Sequence, residues 1–122
     1  MRALALLACL AALPAAALEA PNVVPINDKL VTSGQPPAKS LAALGAEGFE
    51  AVVYLAPPTV GDAVKDEPEI VRKQGLEFVN IPIPFGTPNR EHVEAFFATM
   101  KRLEGRKVLV HCQVNLRAST FT

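Results

Sequence analysis

Cys112 and Arg117 are the two residues in this chain whose types and spacing point most directly to chemistry. Cys112 follows an apolar, β-rich run at residues 107–111, and Arg117 comes shortly after it. This order predicts a strand, then a short loop that begins with a thiol and ends with a guanidinium, then a helix. Backbone N–H groups, a helix N-terminus and an arginine together hold an anion, and the same positive field stabilises a thiolate. The pattern therefore indicates an anion-binding loop with a nucleophilic cysteine.

The first 17 residues have the pattern of a secretory signal peptide. Arg2 provides a basic start, residues 3–13 are an unbroken apolar stretch, and Pro14 precedes the small residues 15–17. The stretch is short of the roughly 20 apolar residues that a membrane-spanning helix needs. We therefore expect a periplasmic or secreted protein, with no stable membrane insertion after the signal peptide (residues 1–17) is cleaved.

Cleavage would also remove Cys9 and leave Cys112 as the one cysteine of the mature chain. A lone cysteine cannot form an internal disulfide in an oxidising compartment. A buried cysteine with only a packing role is the alternative interpretation. The position of Cys112, between a strand and a loop that contains Gln, Asn and Arg, favours a functional thiol.

The composition is that of an ordered domain without a strong electrostatic preference. Half of the 122 residues are hydrophobic and the formal net charge is zero. These values disfavour a disordered chain, and they argue against a nucleic-acid partner. The roughly 105 residues after the signal peptide suffice for one small domain. We place it at residues 30–122, after an N-terminal extension at residues 18–29.

Short β-rich runs alternate with helical patterns along this domain. Strands are predicted at residues 30–33, 51–55, 78–81 and 108–110, and helices at residues 38–47, 67–74 and 87–103. Asp66 and Thr87 are the expected N-caps of the second and third helices. The alternation predicts an α/β fold with a parallel-type central sheet flanked by helices. Ligands of such sheets bind beyond the carboxyl ends of the strands, where Cys112 lies.

The longest predicted helix carries an apolar stripe that we expect to pack in the core. Its members are Val93, Phe96, Phe97, Met100 and Leu103. Residues 118–122 look like the first turn of a further helix without a cap or stop signal. We therefore expect the domain to be truncated at its C-terminus, with the missing helix packed under the Cys112 loop.

The order of these features resembles the cysteine-based protein tyrosine and dual-specificity phosphatases. It is similar in particular to the small bacterial branch that includes the beta-lactamase-hydrolase-like phosphatases. The similarity runs from residue 30 to the end of the chain. It is carried by TSGQP at 32–36, GFEAVVYL at 48–55, GLEFVNIP at 75–82, and VLVHC at 108–112 with Arg117. It implies a protein-tyrosine-phosphatase-like fold and a hydrolase acting on a phosphorylated protein or a small phosphoester.

The resemblance also implies a role for each residue that matches the motif. Cys112 would attack phosphorus and form a phosphocysteine intermediate, and Arg117 would bind two phosphate oxygens through its planar guanidinium. His111 would orient the loop and favour the thiolate, while Ser119 would donate a hydrogen bond to the leaving thiolate. The phosphate-binding loop would comprise Gln113, Val114, Asn115, Leu116, Arg117 and Ser119.

We expect no metal or other cofactor in this site. Arg117 and the loop amides would supply the positive charge that the reaction needs. The sequence also has no cluster of His, Cys and Asp residues with the spacing of metal ligands.

The loop departs from the usual phosphatase pattern in three ways. Four residues separate Cys112 from Arg117 instead of five, a spacing shared by the bacterial branch and by rhodanese-type sulfurtransferases. The loop has no glycine, so Asn115 is the residue expected to adopt a left-handed conformation. Ala118 stands where a hydroxyl residue usually follows the arginine.

The sequence does not reveal an obvious proton donor for the leaving group. The family commonly has an aspartate after the Ile-Pro-Ile stretch at residues 81–83, where this chain has Pro84 and Phe85. The candidate general acids are Glu91, His92, Asp62 and Asp66. Each of them is also explained as an exposed charge on a loop or at a helix start. Without an acid, the enzyme would turn over mainly activated aryl phosphates.

Two other functions fit parts of the pattern. The four-residue spacing fits a rhodanese-like sulfurtransferase that carries a persulfide on Cys112, although the segments at 33–35 and 81–84 look phosphatase-like. The missing aspartate and the altered loop fit a non-catalytic phosphate- or phosphopeptide-binding module. A phosphatase acting on phosphotyrosine or a related phosphoester accounts for the largest share of the features.

Overall fold

The computed structural model describes residues 18–61, 63–84 and 89–113. The strands in these ranges are β1 (Val24–Asn27), β2 (Leu30–Ser33), β3 (Ala51–Tyr54), β4 (Glu77–Asn80) and β5 (Val108–His111). The helices are α1 (Ala38–Ala42), α2 (Glu67–Lys73) and α3 (Arg90–Arg102). The alternation of strands and helices that the sequence predicts is therefore confirmed.

The described strands form one sheet in the order β1-β2-β5-β3-β4. β5 pairs in parallel with β2 on one side and with β3 on the other, and Val110 is opposite both Thr32 and Val53. β4 extends the parallel part beyond β3. All four residues of β3 and of β5 are buried, as expected for central strands covered on both faces.

Helices cover both faces of the sheet. On one face, Phe96 of α3 and Leu103 at its C-cap pack against Val53 and Val110, and Cys112 belongs to the same cluster. On the other face, residues from α1, α2 and their flanking turns pack against β3 and β5. That second cluster includes Leu41, Leu44, Val52, Val71, Leu76 and Leu109. Successive side chains of β5 therefore pack in different cores, because strand side chains alternate between the two faces of the sheet.

The N-terminal extension contributes a strand that the sequence analysis does not anticipate. β1 lies in this segment and pairs antiparallel with β2 at the edge of the sheet. All four of its residues are exposed. An edge strand that is exposed on both faces has no alternation of buried and exposed side chains. That alternation is the pattern from which a strand is predicted in a sequence.

The prediction of a helix over residues 38–47 is wrong in length, since α1 ends at Ala42 and hydrogen-bonded turns follow. The Gln74 side chain accepts a hydrogen bond from the Gly45 N–H at 2.8 Å and donates one to the Leu41 carbonyl at 2.8 Å. A distant residue thus satisfies the backbone groups at the end of α1. The chain then turns at Gly48, whose φ of 90° suits glycine.

Two predictions for α3 are corrected by the structure. Its N-cap is Asn89 rather than Thr87, because Asn89 Oδ1 accepts the His92 backbone N–H at 2.9 Å. The apolar stripe is narrower than expected, since Phe97 is 58% exposed whereas Phe96 is 2% exposed. Adjacent helical residues are about 100° apart around the axis, so one of two neighbouring phenylalanines turns towards solvent.

Among the described residues, no helix combines the length and the apolar character that crossing a membrane requires.

We predict that Phe96→Ala lowers the free energy of unfolding by about 3–5 kcal/mol, because it leaves a cavity in the core under α3. Phe97→Ala is the matched control on the next residue, and its exposed ring should cost less than about 1 kcal/mol. Urea unfolding of both variants measures the difference. Equal losses would contradict the orientation of α3 described above.

Candidate active site

Cys112 lies directly after the carboxyl end of the central strand β5. Its backbone N–H donates to the Ser33 carbonyl at 3.2 Å, at the end of β2. On the opposite side, the Leu55 N–H donates to the His111 carbonyl at 2.9 Å, just after β3. The cysteine is 1% exposed. The segments at the ends of β2 and β3 therefore hold the peptide group that links His111 to Cys112 from both sides.

The start of the predicted phosphate-binding loop is anchored to the segment that follows β2. The Gln113 carbonyl accepts a hydrogen bond from the Gln35 N–H at 2.9 Å. Gln113 is the member of the predicted loop that the structure describes. Val114, Asn115, Leu116, Arg117 and Ser119 lie outside the described residues.

His111 is completely buried and makes contacts on three sides. Its Nε2 atom is 2.5 Å from Glu67 Oε2, and its Nδ1 atom is 3.4 Å from the Cys112 carbonyl oxygen. The imidazole stacks on the Tyr54 ring, with the ring centroids 4.6 Å apart and the planes 23° apart. The structure therefore places the imidazole against the backbone carbonyl of the cysteine.

Glu67 is a site residue that the sequence analysis does not identify. It is the first residue of α2 and is only 2% exposed. Its Oε1 atom accepts a hydrogen bond from Gln35 Nε2 at 3.0 Å, while its Oε2 atom contacts His111. In the sequence it is one of several acids at the start of a short helix, and no local pattern separates it from Asp66 or Glu69. A histidine inside an apolar strand signals that a buried partner is needed, but it does not say which residue.

Gln35 joins the two parts of this network. Its backbone N–H binds Gln113, and its side-chain amide donates to Glu67 and, at 2.9 Å, to the Pro36 carbonyl. Because an ionised carboxylate only accepts hydrogen bonds, the amide presents Nε2 to it. Gln35 Oε1 is the buried side-chain polar atom for which the described part of the chain provides no hydrogen-bond partner.

The candidate general acids occupy different environments. Asp66 is exposed at the N-cap of α2, and its side chain makes no capping hydrogen bond. Glu91 is exposed in the first turn of α3. His92 Nδ1 accepts the Asn89 N–H at 3.2 Å, so its imidazole completes a capping box. Asp62 lies outside the described residues. None of the three described candidates has a hydrogen bond to Cys112 or to the Glu67–His111 pair.

A cavity of about 220 Å³ lies beside the buried network, at the ends of β3 and β4. Tyr54, Glu67, Phe78 and Asn80 are among its lining residues, whereas Cys112 and His111 are not. The two side chains that contact the imidazole of His111 therefore also form part of a cavity wall.

The parallel sheet, the helices on both faces and the cysteine at the carboxyl end of the central strand define a protein-tyrosine-phosphatase-like fold. Residues 19–121 match the family described as "DSP-PTPase phosphatase fused to NAD+ Kinase". The chain belongs to this family. The resemblance stated from the sequence is thereby confirmed.

Individual relatives agree with this assignment. A beta-lactamase hydrolase-like protein of Agrobacterium fabrum is 28% identical over 103 residues, which are 82% of this chain and 24% of that protein. The crystal structure of a proposed phosphatase (DUF442) from Shewanella putrefaciens CN-32 is similar with a TM-score of 0.80 and 37% identity, over 84% of this chain and 65% of that one. Tk-PTP in its active form has a TM-score of 0.65 and 30% identity, over 79% of this chain and 65% of that one.

The chain is thus similar to about a quarter of the length of the curated relatives that it matches.

We predict that His92→Gln preserves the stability of the protein, because glutamine at the third helical position completes a capping box in the same way. Asn89→Ala removes the other half of the box and should lower the free energy of unfolding by about 1 kcal/mol. Chemical denaturation compares the two variants with the wild type. A large loss in His92→Gln together with none in Asn89→Ala would show that the imidazole has another structural role.

Proposed function

We propose that this domain is a cysteine-dependent phosphatase that hydrolyses phosphotyrosine or a related phosphoester through a phosphocysteine intermediate. The observation that carries the proposal is the position of Cys112. It is the first residue beyond the central parallel strand, and the peptide group that links it to His111 is held by β2 on one side and by the segment after β3 on the other. Membership in the phosphatase family supports the same conclusion.

The proposed first step is a displacement at phosphorus. The Cys112 thiolate attacks, a sulfur–phosphorus bond forms, and the bond between phosphorus and the leaving-group oxygen breaks. The leaving oxygen takes a proton from an acid or from water. In the second step, water attacks the phosphocysteine, the sulfur–phosphorus bond breaks, inorganic phosphate leaves and the thiolate is restored.

The charge on the transferred group must be stabilised throughout both steps. We propose that Arg117 binds two of the phosphoryl oxygens and that backbone N–H groups of residues 113–117 bind the others. The anchoring of Gln113 by Gln35 supports this role, since it fixes the direction in which the loop leaves the sheet. The chemistry assigned to these residues needs no cofactor.

We predict that Cys112→Ser abolishes hydrolysis of p-nitrophenyl phosphate by the full chain in the presence of a chelator. Serine is a far weaker nucleophile at neutral pH because its hydroxyl stays protonated, so the loss should be at least about 1,000-fold. Cys9→Ser is the matched control, since Cys9 is the other cysteine of the chain, and it should leave the rate unchanged. Retained activity in Cys112→Ser would overturn the proposal.

A sulfurtransferase is the second candidate, and the four-residue spacing between Cys112 and Arg117 is the observation that favours it. Mass spectrometry of the trapped intermediate separates the two functions. A phosphoryl group on Cys112 after incubation with the aryl phosphate supports the phosphatase. A persulfide after incubation with thiosulfate, with turnover to thiocyanate when cyanide is added, supports sulfur transfer. A folded protein that binds phosphate but forms neither adduct would be a binding module.

We predict a steep dependence of kcat/KM, which reports the step in which the leaving group departs, on the leaving group, because none of the described candidate general acids has a hydrogen bond to Cys112. Hydrolysis of p-nitrophenyl phosphate, whose leaving group needs no protonation, should exceed hydrolysis of phosphoserine by more than about 100-fold, the range that general acid catalysis supplies. Steady-state kinetics with a series of phenyl phosphates of increasing phenol basicity measures the slope. A flat series would indicate an efficient general acid, and Asp62→Asn would then be the first variant to test.

A further inference from the structure

We propose that Glu67 is a positioning residue of the active site that acts on Cys112 through His111. This inference rests on the proposed function only where its test measures the rate of phosphoester hydrolysis. Among the described residues, Glu67 has side-chain hydrogen bonds to His111 and Gln35, and the imidazole of His111 is the contact that leads directly to Cys112.

The residues around His111 hold its imidazole in one orientation. The ring is 0% exposed, one of its faces stacks on Tyr54, and Nδ1 faces the Cys112 carbonyl. The 2.5 Å contact between Nε2 and Glu67 Oε2 is therefore the strong polar interaction of the ring. The contact with Glu67 on one side and the Cys112 carbonyl on the other fixes the orientation of the ring, and opposite an ionised carboxylate Nε2 is the donor.

Burial makes Glu67 hard to explain as an ordinary helix-start charge. A carboxylate removed from water is costly unless charged or polar partners compensate for the loss of hydration. Glu67 has two such partners, the imidazole of His111 and the amide of Gln35. Neighbouring Glu69 on the same helix is exposed to solvent and needs none.

The same network also reaches the start of the loop. Gln35 donates its side-chain amide to Glu67 and its backbone N–H to the Gln113 carbonyl. The Glu67 carboxylate thus connects His111, which precedes the cysteine, with Gln35, which binds the residue that follows it. Supporting partners of this kind keep a reacting group within the narrow geometry that the reaction requires.

A residue that only positions the nucleophile should change kcat and not substrate binding. For Glu67→Gln we expect kcat for p-nitrophenyl phosphate to fall about 10- to 100-fold, the range known for carboxylates that support a metal-bound histidine. KM should stay within about threefold, since no substrate contact is lost. Glu69→Gln is the matched control, with the same change of charge on an exposed position of the same helix, and should match the wild type.

A double-mutant cycle tests whether Glu67 acts through His111. In a His111→Asn background, Glu67→Gln should have little further effect on kcat, because the group that transmits its influence is gone. Two losses that multiply independently would overturn the inference. Glu67→Asp keeps the carboxylate and should recover part of the activity, whereas a merely structural role would make the shorter side chain as harmful as glutamine.

Two readouts do not depend on turnover and keep the inference separate from the proposed function. In the wild type, NMR should show a downfield imidazole Nε2–H proton from His111 that moves upfield in Glu67→Gln. Alkylation of Cys112 by iodoacetamide at neutral pH should slow severalfold in that variant. If the wild type hydrolyses no phosphoester, the proposed function fails while these two measurements still decide the role of Glu67. An unchanged proton signal and an unchanged alkylation rate would overturn it.

If Glu67→Gln does not fold, Gln35→Met provides the same test from the other side of the carboxylate. Methionine keeps the approximate volume of the side chain and its backbone N–H, and removes only the amide that donates to Glu67. The alkylation rate of Cys112 should fall in the same direction. An alkylation rate equal to that of the wild type would contradict the proposed coupling.

Discussion

The pairing of β5 with a parallel strand on each side is the interaction on which the site depends. Val108 to His111 are in register with β2 and with β3 at the same time. The strand ends therefore meet at one edge, and Cys112 leaves the sheet between two segments that both bind the peptide group joining it to His111. A cysteine at the end of an edge strand would have such support on one side only.

A central strand buried on both faces imposes a second constraint, because its last residue is a histidine. The imidazole needs a hydrogen-bond partner inside the protein, since water does not reach it. Glu67 supplies that partner from the start of α2, and Gln35 supplies a further donor to the carboxylate from the segment after β2. Most of the buried polar side chains of the described chain lie near the edge of the sheet where Cys112 lies. They are Thr32, Ser33, Gln35, Glu67 and His111.

The comparisons with known proteins and the geometry of the site address different questions. Membership in the phosphatase family and the likeness to the Shewanella structure establish the fold and the class of protein. The buried contact between Glu67 and His111 is a feature of this chain's structure and offers a physical reason for the position of the histidine. Under the proposed function, the choice of phosphoester depends on the loops around the cysteine and not on the sheet and its two cores.

The sequence alone determined the features that depend on local patterns. The apolar runs of β3 and β5 predicted strands buried on both faces, and the change from apolar to polar residues at Cys112 predicted where β5 ends. Both predictions follow from residues adjacent in the chain, because a strand buried on two faces must be apolar along its whole length. The long amphipathic helix was likewise predicted, although its cap was placed at Thr87 and its exposed Phe97 was assigned to the core.

The tertiary structure alone decided the features that depend on residues far apart in the sequence. β1 forms because β2 offers it an edge, α1 stops at Ala42 because Gln74 binds its last turn, and Glu67 becomes a site residue because α2 brings it to His111. In each case a polar group is satisfied by a partner that hydrophobic periodicity does not encode. Local patterns report which side chains avoid water, whereas the partners of buried polar groups are chosen only when the chain has folded.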